Sequence, residues 1–203
     1  MGVASEKLYL NPYGVDLSMF YREENNKLDR TILFVGNWSF QKGADLLVEA
    51  IEEIDGNNYL VHVGSVGDAP LPKKTWFKSV GVVDQTELRA WYNKANVLVL
   101  PSRQDGFGLV LAQAVACGCP VIGTEYTGAQ DLVDLMGPSD GIDVVPVADI
   151  KALSFAISNR LMGDSNDIYF IEGGTLLTEK LSWKAYGKRY SEKLQTLVVG
   201  GNL

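Results

Sequence analysis

Thr31-Ile32-Leu33-Phe34-Val35-Gly36 is followed by the loop Asn37-Trp38-Ser39-Phe40-Gln41-Lys42-Gly43 and then by Ala44 to Ile54. The first run is apolar without alternation and ends in glycine, which predicts a strand buried on both faces. Behind the loop, Leu47, Ile51 and Ile54 recur at helical spacing, which predicts a helix laying one apolar side on that strand. The same unit returns along the chain. Tyr59 to Gly64, Val97 to Pro101, Pro120 to Gly123 and the short Ile142 to Val145 read as further strands. Asp84-Gln85-Thr86-Glu87 is a capping box, with Asp84 accepting from first-turn amides and Glu87 reaching back. Leu88, Trp91, Tyr92 and Ala95 mark one face of the helix it starts. Leu109 to Cys117 is apolar nearly all round and predicts a buried helix. Asp149 starts a helix to about Leu161, and Ser182-Trp183 begins a last one through Leu194. Gly64 to Lys74, Met136 to Gly141 and Gly163 to Gly174 read as loops. Helices alternating with strands of this kind predict an α/β fold, a parallel sheet covered on both sides.

Composition narrows the function. The chain has 203 residues, 46% hydrophobic and 21% charged, with net charge −7. One sizeable core fits that length, since roughly 70% of the unfolded surface is buried at this size. An acidic chain is a poor partner for phosphate backbones, so no nucleic-acid role is expected. His62 is the one histidine, and Cys117-Gly118-Cys119 holds both cysteines. That inventory excludes multi-histidine metal sites, and two thiols so close make no scaffold disulfide; the usage fits a reducing compartment. No apolar run approaches the roughly 18 residues of a membrane span. The start, MGVASEKLYLNPYGVD, has neither the basic nor the apolar region of a secretory leader.

Several familiar motifs fail on spacing. Lys42 precedes Gly43, the reverse of a P-loop, and Leu111 stands where a dinucleotide fingerprint starting at Gly106 needs its third glycine. Gly64-Ser65-Val66-Gly67 does not match a nucleophile elbow, and mid-strand His62 reads as a satisfied, half-buried side chain. A receiver-type domain would want an acidic cluster after its first strand, where Gly36-Asn37 stands.

Ligands of open parallel sheets bind beyond the carboxyl ends of the strands, so the loops there carry the functional reading. Gly36 to Gly43 places Lys42 where a helix begins, suited to phosphate oxygens. Pro101-Ser102-Arg103-Gln104-Asp105-Gly106-Phe107-Gly108-Leu109 has two glycines that let backbone approach a ligand, and leads into a helix whose free amides attract anions. Gly81-Val82-Val83-Asp84 offers an apolar shelf for a flat base. Thr124 to Asp131 reads as another glycine-containing loop. The competing interpretations are a solvated lysine at a helix start for Lys42, plain turn chemistry for the loops at 101–109 and 124–131, and core packing for the shelf.

Together these segments resemble one family. Asn11-Pro12-Tyr13-Gly14-Val15-Asp16 is similar to "P-N-G-V-D", and Val35-Gly36…Lys42-Gly43 to "V-G-R…K-G". Gly81-Val82-Val83…Glu87-Leu88…Tyr92…Ala95…Leu100-Pro101-Ser102 is similar to "G-x-V…E-L…Y…A…L-P-S". Asp105 to Leu109, with Gln113-Ala114 and Ala116 to Val121, is similar to "E-G-F-G-L…E-A-x-A-C-G-x-P-V". In this order and spacing the set resembles the C-terminal, nucleotide-sugar-binding domain of the family-four, "group 1" retaining glycosyltransferases of GT-B architecture.

That resemblance implies a Rossmann-like three-layer sandwich, one half of a GT-B fold. It implies a single donor-binding domain over 1–203, with 1–30 as interdomain segment and lead-in and 182–199 as the closing helix; the N-terminal acceptor domain is absent. The implied activity is of hexosyltransferase type: a sugar passes from a nucleoside diphosphate to an acceptor hydroxyl with retention. A saccharide or lipid-linked acceptor in polysaccharide biosynthesis fits, in the cytoplasm or peripherally at the inner membrane face. The chain alone would bind nucleotide sugar and transfer nothing, with no metal and no cofactor beyond the donor itself. Lys42 matches the family's diphosphate lysine, while Asn37 stands at its arginine position. Asp105 matches the carboxylate that contacts the transferred sugar; with Lys42 it is the catalytic candidate. Gln113 replaces the carboxylate that grips the ribose. Gly36, Gly106 and the amides of Phe107, Gly108 and Leu109 would meet sugar and phosphate, and Val83 and Leu88 the nucleobase. The departures at Asn37, Asp105 and Gln113 leave an alternative, a degenerate non-catalytic nucleotide-sugar-binding or docking module.

Overall fold

A computed structural model describes residues 3–4, 7–23, 27–137, 141–163 and 175–200. The elements run β1 (Thr31–Val35), α1 (Ala44–Glu52), β2 (Tyr59–Val63), β3 (Phe77–Gly81), α2 (Gln85–Lys94), β4 (Val97–Leu100), α3 (Leu109–Ala116), β5 (Val121–Thr124), α4 (Ala129–Met136), β6 (Ile142–Val145), α5 (Ile150–Met162), α6 (Thr175–Lys180) and α7 (Trp183–Gly200). All strands pair in parallel, in the order β3-β2-β1-β4-β5-β6. This is the Rossmann-like α/β fold expected from the sequence, and its strand order is that of a doubly wound sheet.

Unbroken apolar strands make sense because alternate residues feed two cores. Leu33 and Val35 of β1 and Leu98 and Leu100 of β4 point into one core with Tyr92, Leu111 and Leu132. Ile32, Phe34, Val97 and Val99 point into the other with Leu47, Ile51, Leu153 and Ile157. Each fully buried Leu, Ile or Phe is worth roughly 1.5–3 kcal/mol of transfer free energy, so the two cores are the main stabilising force.

Local signals behave as the sequence indicates. Asp84 Oδ1 accepts from the Glu87 amide at 2.9 Å and starts α2; Asp149 Oδ1 does the same for Ala152 and α5. The segment before β1 belongs to the core: Val15 and Phe20 are buried, and the Val15 amide donates to Leu181 O at 2.7 Å. Arg189 on α7 fastens it, donating to Asn11 Oδ1 and to the carbonyls of Pro12 and Lys180 at 2.7–2.8 Å.

Three points differ from the sequence reading, one missed strand and two helix boundaries. Phe77–Gly81 is an edge strand, which polar Lys78 and Ser79 disguise. Thr124 to Asp131 is only partly loop, because Ala129 already opens α4. The last helix runs on past Leu194 to Gly200. Gly64 to Lys74 is the loop expected, and it is pinned: Trp38 bridges Val66, with Trp38 N donating to Ser65 O at 2.8 Å and Gly67 N to Trp38 O at 2.9 Å. The loop read over Gly163 to Gly174 falls, beyond Gly163 itself, outside the described residues.

Candidate functional site

Between β1 and β4 the strand order reverses. The chain leaving β1 enters α1 over one face, and that leaving β4 enters α3 over the other. Such divergence opens a crevice at the carboxyl edge. The loops that border it, 36–43 and 101–108, are those the sequence singled out.

Loop 36–43 is held from below by His62. Its Nε2 lies 3.0 Å from Gly36 O and its Nδ1 2.9 Å from Ser79 Oγ. A carbonyl only accepts, so Nε2 carries the hydrogen and Nδ1 accepts from the serine hydroxyl. The ring is fully buried rather than half-buried, and burial pushes its pKa down, so it is neutral. Buried Trp38 packs on Phe34 and His62 and donates from Nε1 to Pro70 O at 3.0 Å. Exposed Asn37 accepts from Ser65 Oγ at 3.0 Å.

The loop then touches β4. Gly43 has φ +73°, and a Cβ there would fall on the Pro101 carbonyl. That approach sets Lys42 against Asp105: Nζ to Oδ2 is 2.6 Å, with side chains 26% and 15% exposed. Asp105 Oδ1 also accepts from the Gly106 amide at 2.8 Å, and its own amide donates to Tyr126 O at 3.0 Å. Arg103 reaches back across the crevice. Its amide donates to Gln41 O at 2.9 Å, and its guanidinium grips Asp45 on α1 through two bonds of 2.8 Å while also meeting Phe40 O. This pairing holds the Asp45 carboxyl below the usual carboxylate range. Ser102, wholly buried, has a hydroxyl with no hydrogen-bond partner.

Helix ends complete the rim. α1, α3 and α4, which leave β1, β4 and β5, start at Gly43, Gly108 and Gly128 with no side-chain cap. α2 and α5 are capped by aspartates. α3 carries no acidic residue in its first turn, so nothing from its own sequence offsets the positive end of its dipole. Gly106 faces open space. Phe107 meets Tyr13 edge-on at 5.9 Å, and half-buried Gly108 and exposed Leu109 lead into α3.

Farther down α3, half-buried Gln113 accepts from Tyr92 OH at 3.0 Å. Burial raises the Tyr92 pKa well above its usual value, so the phenol stays a donor. With Oε1 engaged, Gln113 offers a ligand its NH2 group, a donor where a carboxylate would accept. Val83 and Leu88 pack half-buried against the same core. The structure thus brings Lys42 and Asp105 together and places Gly36 and Asn37 on the same loop as Lys42. Gln113, Val83 and Leu88 lie on the α2–α3 side. Sequence reading quoted Arg103 and Tyr92 without giving them a part in the rim and did not single out Asp45; the signal available was an arginine two residues before Asp105.

Both cysteines are buried. Burial pushes the Cys117 thiol up to about 12 and Cys119 to about 11. Among the described residues no three or more His, Cys, Asp or Glu side chains group as a metal site, and no helix is long and apolar enough to cross a membrane.

Residues 29–162 match the family model of the glycosyl transferases group 1, and the chain belongs to that family. It is 34% identical over 130 residues to an uncharacterized glycosyltransferase of Methanocaldococcus jannaschii, covering 59% of this chain and 35% of that protein. It is 30% identical over 189 residues to the D-inositol 3-phosphate glycosyltransferase of Xylanimonas cellulosilytica, covering 78% and 45%. The chain therefore spans less than half the length of these relatives. Sucrose-phosphate synthase from Thermosynechococcus elongatus superposes with TM-score 0.72 at 26% identity, over 95% of this chain and 53% of that one. The Anabaena protein HepE, solved with UDP and glucose, shares the fold at TM-score 0.71 and 15% identity, over 90% and 55%.

Proposed function

We propose that this chain is the donor-binding half of a retaining glycosyltransferase that takes its sugar from a nucleoside diphosphate. The observation that carries the reading is the convergence of Lys42 and Asp105, 2.6 Å apart, at the switch point of the sheet and beside the uncapped start of α3. An ammonium group has three donors, so Lys42 can keep Asp105 and still meet phosphate oxygens. With the α3 amides it would stabilise charge building on the departing diphosphate. Asp105 would hold a hydroxyl of the transferred sugar, Gln113 the ribose, and Val83 and Leu88 the base.

The second domain of a GT-B enzyme would bring the acceptor, with retention at the anomeric carbon, so the chain alone binds donor and transfers nothing. No metal takes part in this reading. Membership in the family and the 30% identity to an inositol-phosphate glycosyltransferase support a transferase; the nucleotide in HepE suggests UDP as the first probe. Calorimetric titration with UDP, GDP and ADP tests it. Saturable binding of one of them, weakened in Lys42→Ala, is the outcome in favour. Failure of all three, unrepaired by Gln113→Glu, would leave the non-catalytic docking module that Asn37 and Gln113 suggest.

A further inference from the structure

We propose that Arg103 is a positioning residue that sets the spacing of Lys42 from Asp105 by fastening loop 36–43 to loop 101–108. Arg103 belongs to the second loop, yet its hydrogen-bond partners Phe40, Gln41 and Asp45 lie in the first loop or in the first turn of α1. Its amide holds Gln41 O at 2.9 Å, and its guanidinium holds Phe40 O and both oxygens of Asp45. These contacts bracket Lys42 on either side in sequence, two and one residues before it and three after.

The geometry suits a brace better than a ligand contact. A two-pronged arginine–carboxylate pair fixes direction as well as distance, which a single lysine would not. Three of its five N–H donors already serve Asp45 and the Phe40 carbonyl, which holds the guanidinium against loop 36–43. Asp45 stays ionised, since the guanidinium beside it holds its carboxyl below the ordinary range. Directly below, the Gly43–Pro101 contact leaves no room for a side chain. Backbone contact and ion pair are thus two fasteners on the same seam, one and three residues after Lys42 in sequence.

This rests on the reading of the rim as a nucleoside-diphosphate site, so two independent readouts are needed. The first is amide hydrogen exchange of the unliganded protein. In Arg103→Ala, the amides of Gly43 and Ala44, which bond to Phe40 O and Ser39 O, should exchange about tenfold or more faster, while Leu33 and Phe34 in β1 stay unchanged. The second is titration with UDP, whose affinity should fall about tenfold or more in Arg103→Ala, by the loss of one well-placed charged contact. Asp45→Asn should weaken UDP in the same direction, and Arg103→Lys should recover only part of the loss. A brace predicts that pattern.

Tighter UDP binding in Asp45→Asn would overturn the proposal, because freeing the guanidinium would then be supplying a direct phosphate contact. Full recovery in Arg103→Lys would overturn it too, since charge alone would suffice. Unchanged exchange at Gly43 and Ala44 would show a seam that does not need Arg103. Should the wild-type protein bind no nucleotide at all, the site reading falls, and the exchange result still decides the brace. Should Arg103→Ala fail to fold, Asp45→Asn and Arg103→Lys carry the test.

Discussion

Gly43→Ala tests whether the approach of loop 36–43 to β4 builds the rim. Gly43 sits at φ +73°, in the left-handed region, and a Cβ there would overlap the Pro101 carbonyl. The conformational part costs about 1–2 kcal/mol for an L side chain. Alanine returns roughly 0.4–1 kcal/mol by restricting the unfolded chain. The overlap is with backbone, so one chain must move, at about 1–3 kcal/mol. The sum is about 1–5 kcal/mol of lost stability, a shift in Tm of roughly 2–20 °C for a domain of this size. Moving the loop also moves Lys42 off Asp105, so nucleotide affinity should fall with stability. Gly106→Ala is the control, because Gly106 has no positive φ and faces open space; its stability should match wild type. Urea denaturation at unchanged slope measures both. A loss below about 1 kcal/mol in Gly43→Ala, or equal losses at the two positions, would refute the reasoning.

Other consequences are open to simpler measurements. Lys42→Ala should change stability by no more than about 1 kcal/mol, since the pair with Asp105 is partly exposed, yet weaken diphosphate binding about tenfold or more; the reverse ranking would argue against a ligand role. His62 is neutral when folded and its pKa is lowered from 6.5. Its contribution is therefore complete above about pH 6.5 and fades as pH falls toward the folded value, because the unfolded chain binds the extra proton. Thermal melts between pH 7.5 and 5 should show that decline in wild type but not in His62→Gln, and equal slopes in the two would count against it. With thiols at about 12 and about 11, a disulfide reagent at pH 8 should leave Cys117 and Cys119 unmodified until urea unfolds the chain; rapid modification of the native protein would contradict their burial.

The strands and helices most legible in the sequence were those whose signal is local. β1, β4 and β5 are apolar runs closed by glycine or proline, and α2 and α5 announce themselves through Asp84 and Asp149. β3 escaped because an edge strand needs only one partner and half a hydrophobic face, so Lys78 and Ser79 are tolerated. α4 escaped because its cap, Gly128, also reads as turn chemistry. Of the rim, Lys42, Asp105 and the glycines could be named from sequence, since charge and backbone freedom are properties of residue type that a loop carries with it. Gln113's bond to Tyr92 could not, because α2 and α3 meet only after the sheet is built.

By itself the sequence determined that the chain forms a two-faced parallel sheet and that loops 36–43 and 101–108 carry Lys42, Arg103, Asp105 and a set of permissive glycines. Hydrophobic period and backbone sterics act over a few residues, and those are written in order along the chain. Only the tertiary structure decided that β1 and β4 are neighbours. That pairing carries Lys42 to within 2.6 Å of Asp105 across a sequence separation of 63, and makes Arg103 part of a seam rather than a surface charge. Which strands lie side by side is settled by the burial of both sheet faces at once, a property of the whole sheet that no local segment contains.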